Sequence, residues 1–294
     1  MKKFILCAVV FLLSLSIVSA TTYKIESPAD RLEIGETFAN VVPALTVKEI
    51  PELQSGTIVA SGSTKYNQYL RFSGLPYPLI SFAKNADNQV EDFISIIRNT
   101  GANNAFFEYE LEFEEGLESD VSNEELEDLI GQQIYIFNQP YVITFAKTSG
   151  NSVELEFVSG GVSDLIEKDQ TKQLTLNNKL YTIKVVSIDS ASKKVKIELN
   201  GQTLADMNIG DIRPLSDNNF IGITKILTSS TTADLVEVFI GAHAIKLKDT
   251  SYNDQTFEEE VEINAVKQSH AYVSVIGTLS GTVLKILKIR YRVA

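Results

Sequence analysis

The sequence predicts a mainly β protein, built of tandem β-sandwich or barrel-like modules with a small α+β N-terminal domain. Three observations carry that expectation. Short apolar segments alternate with polar residues at period two over most of the chain, as half-buried strands require. Clusters of Asn, Gly and Ser separate these segments and read as turns. A pattern also recurs at a spacing of forty: Gln133, Asn138, Tyr141 and Ile143 are matched by Gln173, Asn178, Tyr181 and Ile183, and a fainter third copy keeps Asn218 and Ile223. That period fits propeller blades too, but three units are too few to close a ring of about 4–8 blades.

Residues 1–20 form the expected signal peptide. Met1-Lys2-Lys3 supplies a basic start, Phe4 to Val18 is an apolar run of 15 residues, and Val18-Ser19-Ala20 offers small residues before a cut. The run is shorter than the roughly 20 residues needed to span a bilayer. Cleavage removes Cys7, the one cysteine, and leaves 24 basic against 38 acidic residues. The expected location is therefore extracellular, at the cell surface, with stability coming from packing, metal ions or assembly and not from disulfides. No second long apolar stretch follows, so the mature chain is expected to lack a transmembrane span.

Residues 21–130 read as the α+β N-terminal domain. Ile58 to Ala60 and Tyr66 to Phe72 are strands around the turn Ser61-Gly62-Ser63. In the segment from Asp87 to Arg98, Val90, Phe93, Ile94 and Ile97 fall on one helical face, which predicts a helix closed by the tract after Gly101. Phe107, Tyr109, Leu111 and Phe113 then alternate with Glu108, Glu110, Glu112 and Glu114. This pattern predicts a strand with all four carboxylates on one water-facing side. Ser122-Asn123-Glu124-Glu125 matches a capping box, predicting a short helix from Glu124 to Ile130 that hinges the first domain to the rest.

Residues 131–208 are the expected β module with repeats of about forty residues, each unit running strand, polar turn, strand, loop, strand. Residues 209–294 form a C-terminal β module, with strands at Leu235 to Ile240, Ala244 to Leu247, Val261 to Ile263, Ala271 to Ile276 and Thr282 to Val293. The last is long and apolar on both sides, as a central strand would be.

The functional inventory is sparse. Lys+Arg number 26 and Asp+Glu 38, a net charge of −12, which disfavours nucleic acid as a partner because phosphate binding needs a concentrated basic surface. Two histidines, His243 and His270, sit in no catalytic motif, and no P-loop, Gly-x-Ser-x-Gly or His-Glu-x-x-His pattern occurs. No catalytic or cofactor-binding residue is therefore expected, and the chain reads as no enzyme. One metal candidate exists: Asp249, Ser251, Asn253 and Glu260 hold places one, three, five and twelve of a calcium-loop spacing. Asp254 stands where that loop needs glycine, so an acidic loop without calcium is the competing reading.

Several longer stretches carry a resemblance. Glu108 to Ser119 holds a Tyr-x-Leu-x-Phe strand, and Asp128 to Ile143 holds a Gly-x-x-Ile strand leading into Tyr-Val-Ile. Val238 to Asp249 contains Ile-Gly-Ala followed by Leu-x-Asp, and Thr282 to Arg292 closes the chain with Ile-x-Tyr. Together these resemble the mid-region and end of archaeal S-layer proteins. The resemblance implies a structural cell-envelope subunit that self-assembles on the cell surface, with copies of itself and other cell-surface proteins as partners. The alternative is an extracellular binding module or adhesin for a glycan or protein, for which Tyr77, Tyr252 and Tyr272 would have to share an exposed face.

Overall fold

The computed structural model describes residues 33–72, 79–84, 87–97, 101–159, 161–176, 178–189, 192, 194–209, 211–217, 219–227, 234–241, 243–258 and 260–294. The expected signal peptide, Tyr77 and Asn218 lie outside them. Helical structure there is limited to α1 (Phe38–Val41) and a 3-10 turn at Ala102–Asn104. No helix among the described residues is long and apolar enough to cross a membrane.

The strands before the first repeat are β1 (Ala44–Leu45), β2 (Gly56–Val59), β3 (Ser63–Arg71), β4 (Leu79–Lys84), β5 (Val90–Ile97), β6 (Phe107–Ser122) and β7 (Glu125–Leu126). The first repeat is β8 (Gln133–Ile136), β9 (Gln139–Ser149) and β10 (Ser152–Ser159). Then come β11 (Val162–Glu167), β12 (Thr171–Leu176), β13 (Lys179–Asp189), β14 (Lys194–Leu199), β15 (Gln202–Thr203) and β16 (Met207–Asn208). The next three are β17 (Ile212–Pro214), β18 (Phe220–Leu227) and β19 (Leu235–Gly241). The chain finishes with β20 (His243–Asp249), β21 (Val261–Ile263), β22 (Val266–Lys267), β23 (Ala271–Ser280) and β24 (Val283–Val293).

Two sandwiches result, one inserted into the other. Strands β10 and β20 are antiparallel neighbours, with Val153 opposite Asp249 and Ser159 opposite His243. Everything between them, β11 to β19, forms its own two sheets, in the orders β11-β19-β18-β17 and β12-β13-β14-β15. Those sheets close over Ile166, Tyr181, Ile183, Val195, Ile197, Ile221, Val236 and Val238, all buried. In the outer sandwich, Tyr66, Leu111, Phe113 and Ile289 from β3, β6 and β24 share a core with Ile143, Leu155, Phe157 and Leu247 from β9, β10 and β20. Each such fully buried aliphatic side chain contributes about 1.5–3 kcal/mol. A small cluster of Val158, Phe220, Phe239 and Ala244 joins the two bodies where the insertion leaves β10 and returns to β20.

Strand β6 serves both sheets of the outer sandwich. It pairs with β24 up to Asp120 and with β7 at Val121 and Ser122. The register jumps between Ile286, opposite Leu117, and Lys288, opposite Glu112. Residues 113–116 therefore bulge and turn the strand through the sandwich corner, as bulges do. Gly116 sits there at φ +84°, where a Cβ would fall 2.4 Å from the Lys285 side chain.

The repeats show one register. In the β8–β9 hairpin Gln133 faces Val142 and Ile134 faces Tyr141; in the β12–β13 hairpin Gln173 faces Thr182 and Leu174 faces Tyr181. Asn138 and Asn178 hold the tight turns at φ 59° and 63°, a region Asn tolerates better than most residues. The second strand of each hairpin, and β18 after it, carries a bulge against its following strand.

Several expectations need correction. Among its described residues, the segment from Asp87 to Arg98 contains no helix: it supplies β5, paired antiparallel with β4. Val and Ile at four of its eight strand positions favour extended backbone, and cross-strand pairing overrode the helical spacing. No helix runs from Glu124 to Ile130 either. Asn123 and Glu124 take φ 52° and 68°, so the capping-box residues form a two-residue hairpin turn between β6 and β7. The N-terminal segment is thus mostly β. The expected cuts at 130 and 208 fall inside the two cores, because β6 pairs with β24 and Met207 packs with Ile221 and Val236. Among the described residues the sheets stay open, so sandwiches form and a closed barrel does not.

Candidate functional site

The outward face of β3, β6, β24 and β23 concentrates charge. Register places Arg71 opposite Glu108, Tyr69 opposite Glu110 and Asn67 opposite Glu112 across β3 and β6. On the other side of β6, Arg292 stands opposite Glu108, Arg290 opposite Glu110 and Lys288 opposite Glu112. Period two on two strands thus aligns a glutamate row between rows rich in cations.

These glutamates are not the solvated row expected. Glu108 and Glu110 are only 6% and 4% exposed, Glu112 is half-buried, and Glu114 alone of the four faces water freely. A buried carboxylate must be paired. Glu108 accepts from Arg292 Nε at 2.7 Å, and Glu110 accepts from Arg71 Nη2 at 2.7 Å and from Lys288 Nζ at 3.2 Å. Lys288 also holds Glu112 at 2.8 Å, and this hydrogen bond keeps the Glu112 carboxyl below the usual range against the opposing effect of burial. Three carboxylates thus pair with three cations on this face, and a fourth cation, Arg290, forms no ion pair among the described residues.

Arg290 and Arg292 line an open pocket of about 470 Å³, completed by Ala102, Asn103, Gln255, Thr256 and Phe257. The 3-10 turn before β6 builds one wall and the loop between β20 and β21 the other. Phe257 supports both guanidiniums: the Arg292 carbon lies 3.8 Å from its ring centre and the Arg290 carbon 4.7 Å. Arg292 Nη1 donates to Ala102 O at 3.0 Å. Arg290 Nη2 donates to Gln255 O at 3.0 Å and to Ser274 Oγ at 2.9 Å, while its Nε is buried without a hydrogen bond among the described residues. Burial first, and the neighbouring Arg292 charge against it, pull the Arg290 pKa down, with Glu108 and Glu110 opposing. The pocket thus presents two guanidiniums held in place by backbone carbonyls and an aromatic ring.

Of the calcium-loop candidates, Asp249, Ser251 and Asn253 hydrogen-bond with one another, while Glu260 pairs with Lys267. Asp249 is 1% exposed, with Oδ2 accepting from Val275 N at 2.6 Å and Oδ1 from Ser251 N at 2.7 Å. Burial raises its pKa, and the two backbone donors oppose that rise. Ser251 Oγ donates to Asn253 Oδ1 at 3.3 Å, and Glu260 is engaged by Lys267 at 2.8 Å. The loop covers the free edge of β23: Val273 N donates to Glu258 O and Gly277 N to Tyr252 O, while Val275 N takes the Asp249 carboxylate. An uncovered edge invites pairing with another chain, and this loop blocks it. Among the described residues no cluster of three or more His, Cys, Asp or Glu could hold a metal ion.

Of the tyrosines required for a glycan-binding face, Tyr252 is buried at 3% exposure and Tyr272 is half-buried. His243 opens β20 opposite Ser159, and burial lowers its pKa; His270 is an exposed turn residue at φ 63°. Sequence reasoning passed over Arg290, Arg292 and Phe257. A signal was present: Lys288, Arg290 and Arg292 alternate just as Glu108, Glu110 and Glu112 do, and two period-two rows of opposite charge predict neighbouring strands. No protein-family model matches this chain, and no curated protein matches it.

Proposed function

We propose that the protein is a secreted structural subunit of a cell envelope, resembling the S-layer proteins, that acts by assembling with copies of itself and carries out no reaction. The observation supporting this most directly is the ribbon of β4 and β5. These strands pair with each other and, among the described residues, with no larger sheet. Ile80 stands opposite Ile96, and alternation puts Phe82 on the same face. Phe82 is 45% exposed and Ile96 51%. A two-stranded ribbon is marginal in water by itself, and an apolar face left exposed among the described residues is the kind of surface that a partner buries. In a self-assembling layer, that partner is a second copy.

Sedimentation velocity of the chain from Thr21 onward tests this reading. The expected result is concentration-dependent assembly that is lost in the double variant Phe82→Lys, Ile96→Lys while the β circular-dichroism signal is kept. A wild-type chain that stays monomeric at every concentration and ionic strength would remove the basis for self-assembly.

A further inference from the structure

We infer that the pocket between Arg290, Arg292 and Phe257 is a binding site for a carboxylate group. This inference stands apart from the assembly reading, because it uses a different face and different residues. The outward face of the β3-β6-β24-β23 sheet otherwise matches its charges: Glu108 with Arg292, Glu110 with Arg71 and Lys288, Glu112 with Lys288. Arg290 is the cation left over. It is held, not free to swing to water, since Nη2 is committed to Gln255 O and Ser274 Oγ and the guanidinium lies over Phe257. Its Nη1 makes no hydrogen bond among the described residues and its Nε is buried with none.

A guanidinium fixed in a half-buried setting with Nη1 unused can donate one charge-assisted hydrogen bond to a carboxylate oxygen, and a second oxygen needs a second donor. Arg292 is likewise committed through Nε and Nη1, and its Nη2 has no hydrogen bond among the described residues. The second guanidinium adds charge at the same pocket. The Phe257 ring shields one side of both cations from water, which strengthens attraction to an anion on the open side. Asn103, which also lines the pocket, carries a neutral amide that can donate to a second oxygen of the ligand. The chain's net charge of −12 makes a local positive pocket a selective feature, since the rest of the surface repels the same ligand.

The carboxylate can come from a free acid or from an acidic side chain of a second copy, and two arms separate these sources. In the first, malonate is titrated into the full secreted chain at low ionic strength, followed by calorimetry and by backbone NMR shifts of β24. Saturable binding is expected, with shifts centred on Arg290 and Arg292. Arg290→Gln should weaken it about ten-fold, the loss of one charge-assisted hydrogen-bonded contact. Arg290→Lys, which keeps the charge but not the planar guanidinium held over Phe257, should fall between, and Lys225→Gln, exposed on β18 of the inserted sandwich, should bind as wild type does. In the second arm, sedimentation is repeated with saturating malonate. Dissociation of assemblies by malonate and by Arg290→Gln assigns the carboxylate to a second copy; unchanged assemblies assign it to a free acid. Absence of saturable malonate binding, or equal binding by folded Arg290→Gln, overturns the inference whatever the assembly state.

Discussion

Replacing Asp249 by alanine separates an edge-covering role from a calcium-binding one. Both side-chain oxygens accept backbone N–H groups, Val275 N at 2.6 Å in a buried setting and Ser251 N at 2.7 Å nearer the surface. Alanine leaves the Val275 donor without its acceptor inside the protein, which costs about 1–3 kcal/mol, and the Ser251 donor can turn partly to water for about 0.5–1 kcal/mol. The expected loss is about 1.5–4 kcal/mol, read as a lower urea midpoint with an unchanged slope. Asparagine keeps one carbonyl oxygen and should lose less. The pH dependence follows from the sign of the shift. Burial raises the folded pKa of Asp249, so its favourable contribution is complete below the unfolded value near ~3.9 and declines as pH rises through the folded value. The gap between wild type and Asp249→Ala should therefore widen on acidification from pH 7 toward pH 4. Calcium at millimolar concentration should leave the wild-type midpoint where it was. A change under about 0.5 kcal/mol in Asp249→Ala, within the range of ordinary surface substitutions, or a wild-type midpoint that calcium raises through Asp249, would refute the edge-covering role.

Other consequences are measurable by the same unfolding assay. Glu110→Gln leaves Arg71 and Lys288 sharing no carboxylate at that position; with both cations about a third exposed, the expected loss is about 1–3 kcal/mol, below the cost of breaking a fully buried pair. Asp217 is half-buried, and this partial burial raises its pKa, but hydrogen bonds from Lys179, Tyr181 and Asn219 outweigh it and hold its carboxyl well below the usual range. Its contribution is therefore present above the unfolded value near ~3.9 and vanishes as pH falls through the folded one, so Asp217→Asn should flatten the acid limb of the stability profile. Asn178→Val forces a β-branched residue to φ 63° and should cost about 1–2 kcal/mol, while Asn178→Gly should be close to neutral by urea denaturation.

What the sequence disclosed was local. Period-two alternation marks β6, β9, β13 and β24, and the matched Asn138 and Asn178 mark two hairpins whose registers coincide. These features depend on residues a few positions apart, where backbone geometry alone decides which side chains share a face. Short segments were harder. The residues from Val90 to Ile97 satisfy both helical and strand spacing, and only their pairing with β4 resolves it. Ser122 to Glu125 satisfies a helix cap and also a hairpin turn, and the burial of Leu126 and Leu129 in the core favours the turn.

The organisation into an outer and an inserted sandwich, and the charged pocket with it, came only with the tertiary structure. Arg292 reaches Glu108 across 184 positions in the chain, and β10 finds β20 with a whole sandwich between them. Alternation told that Glu108 and Glu110 lie on one face of a strand; it did not tell that Arg71, Lys288 and Arg292 would close over that face. A carboxylate's neighbours are set by which strands lie beside its own, and strand order is decided by the packing of two whole sheets, to which no single stretch of sequence holds the key.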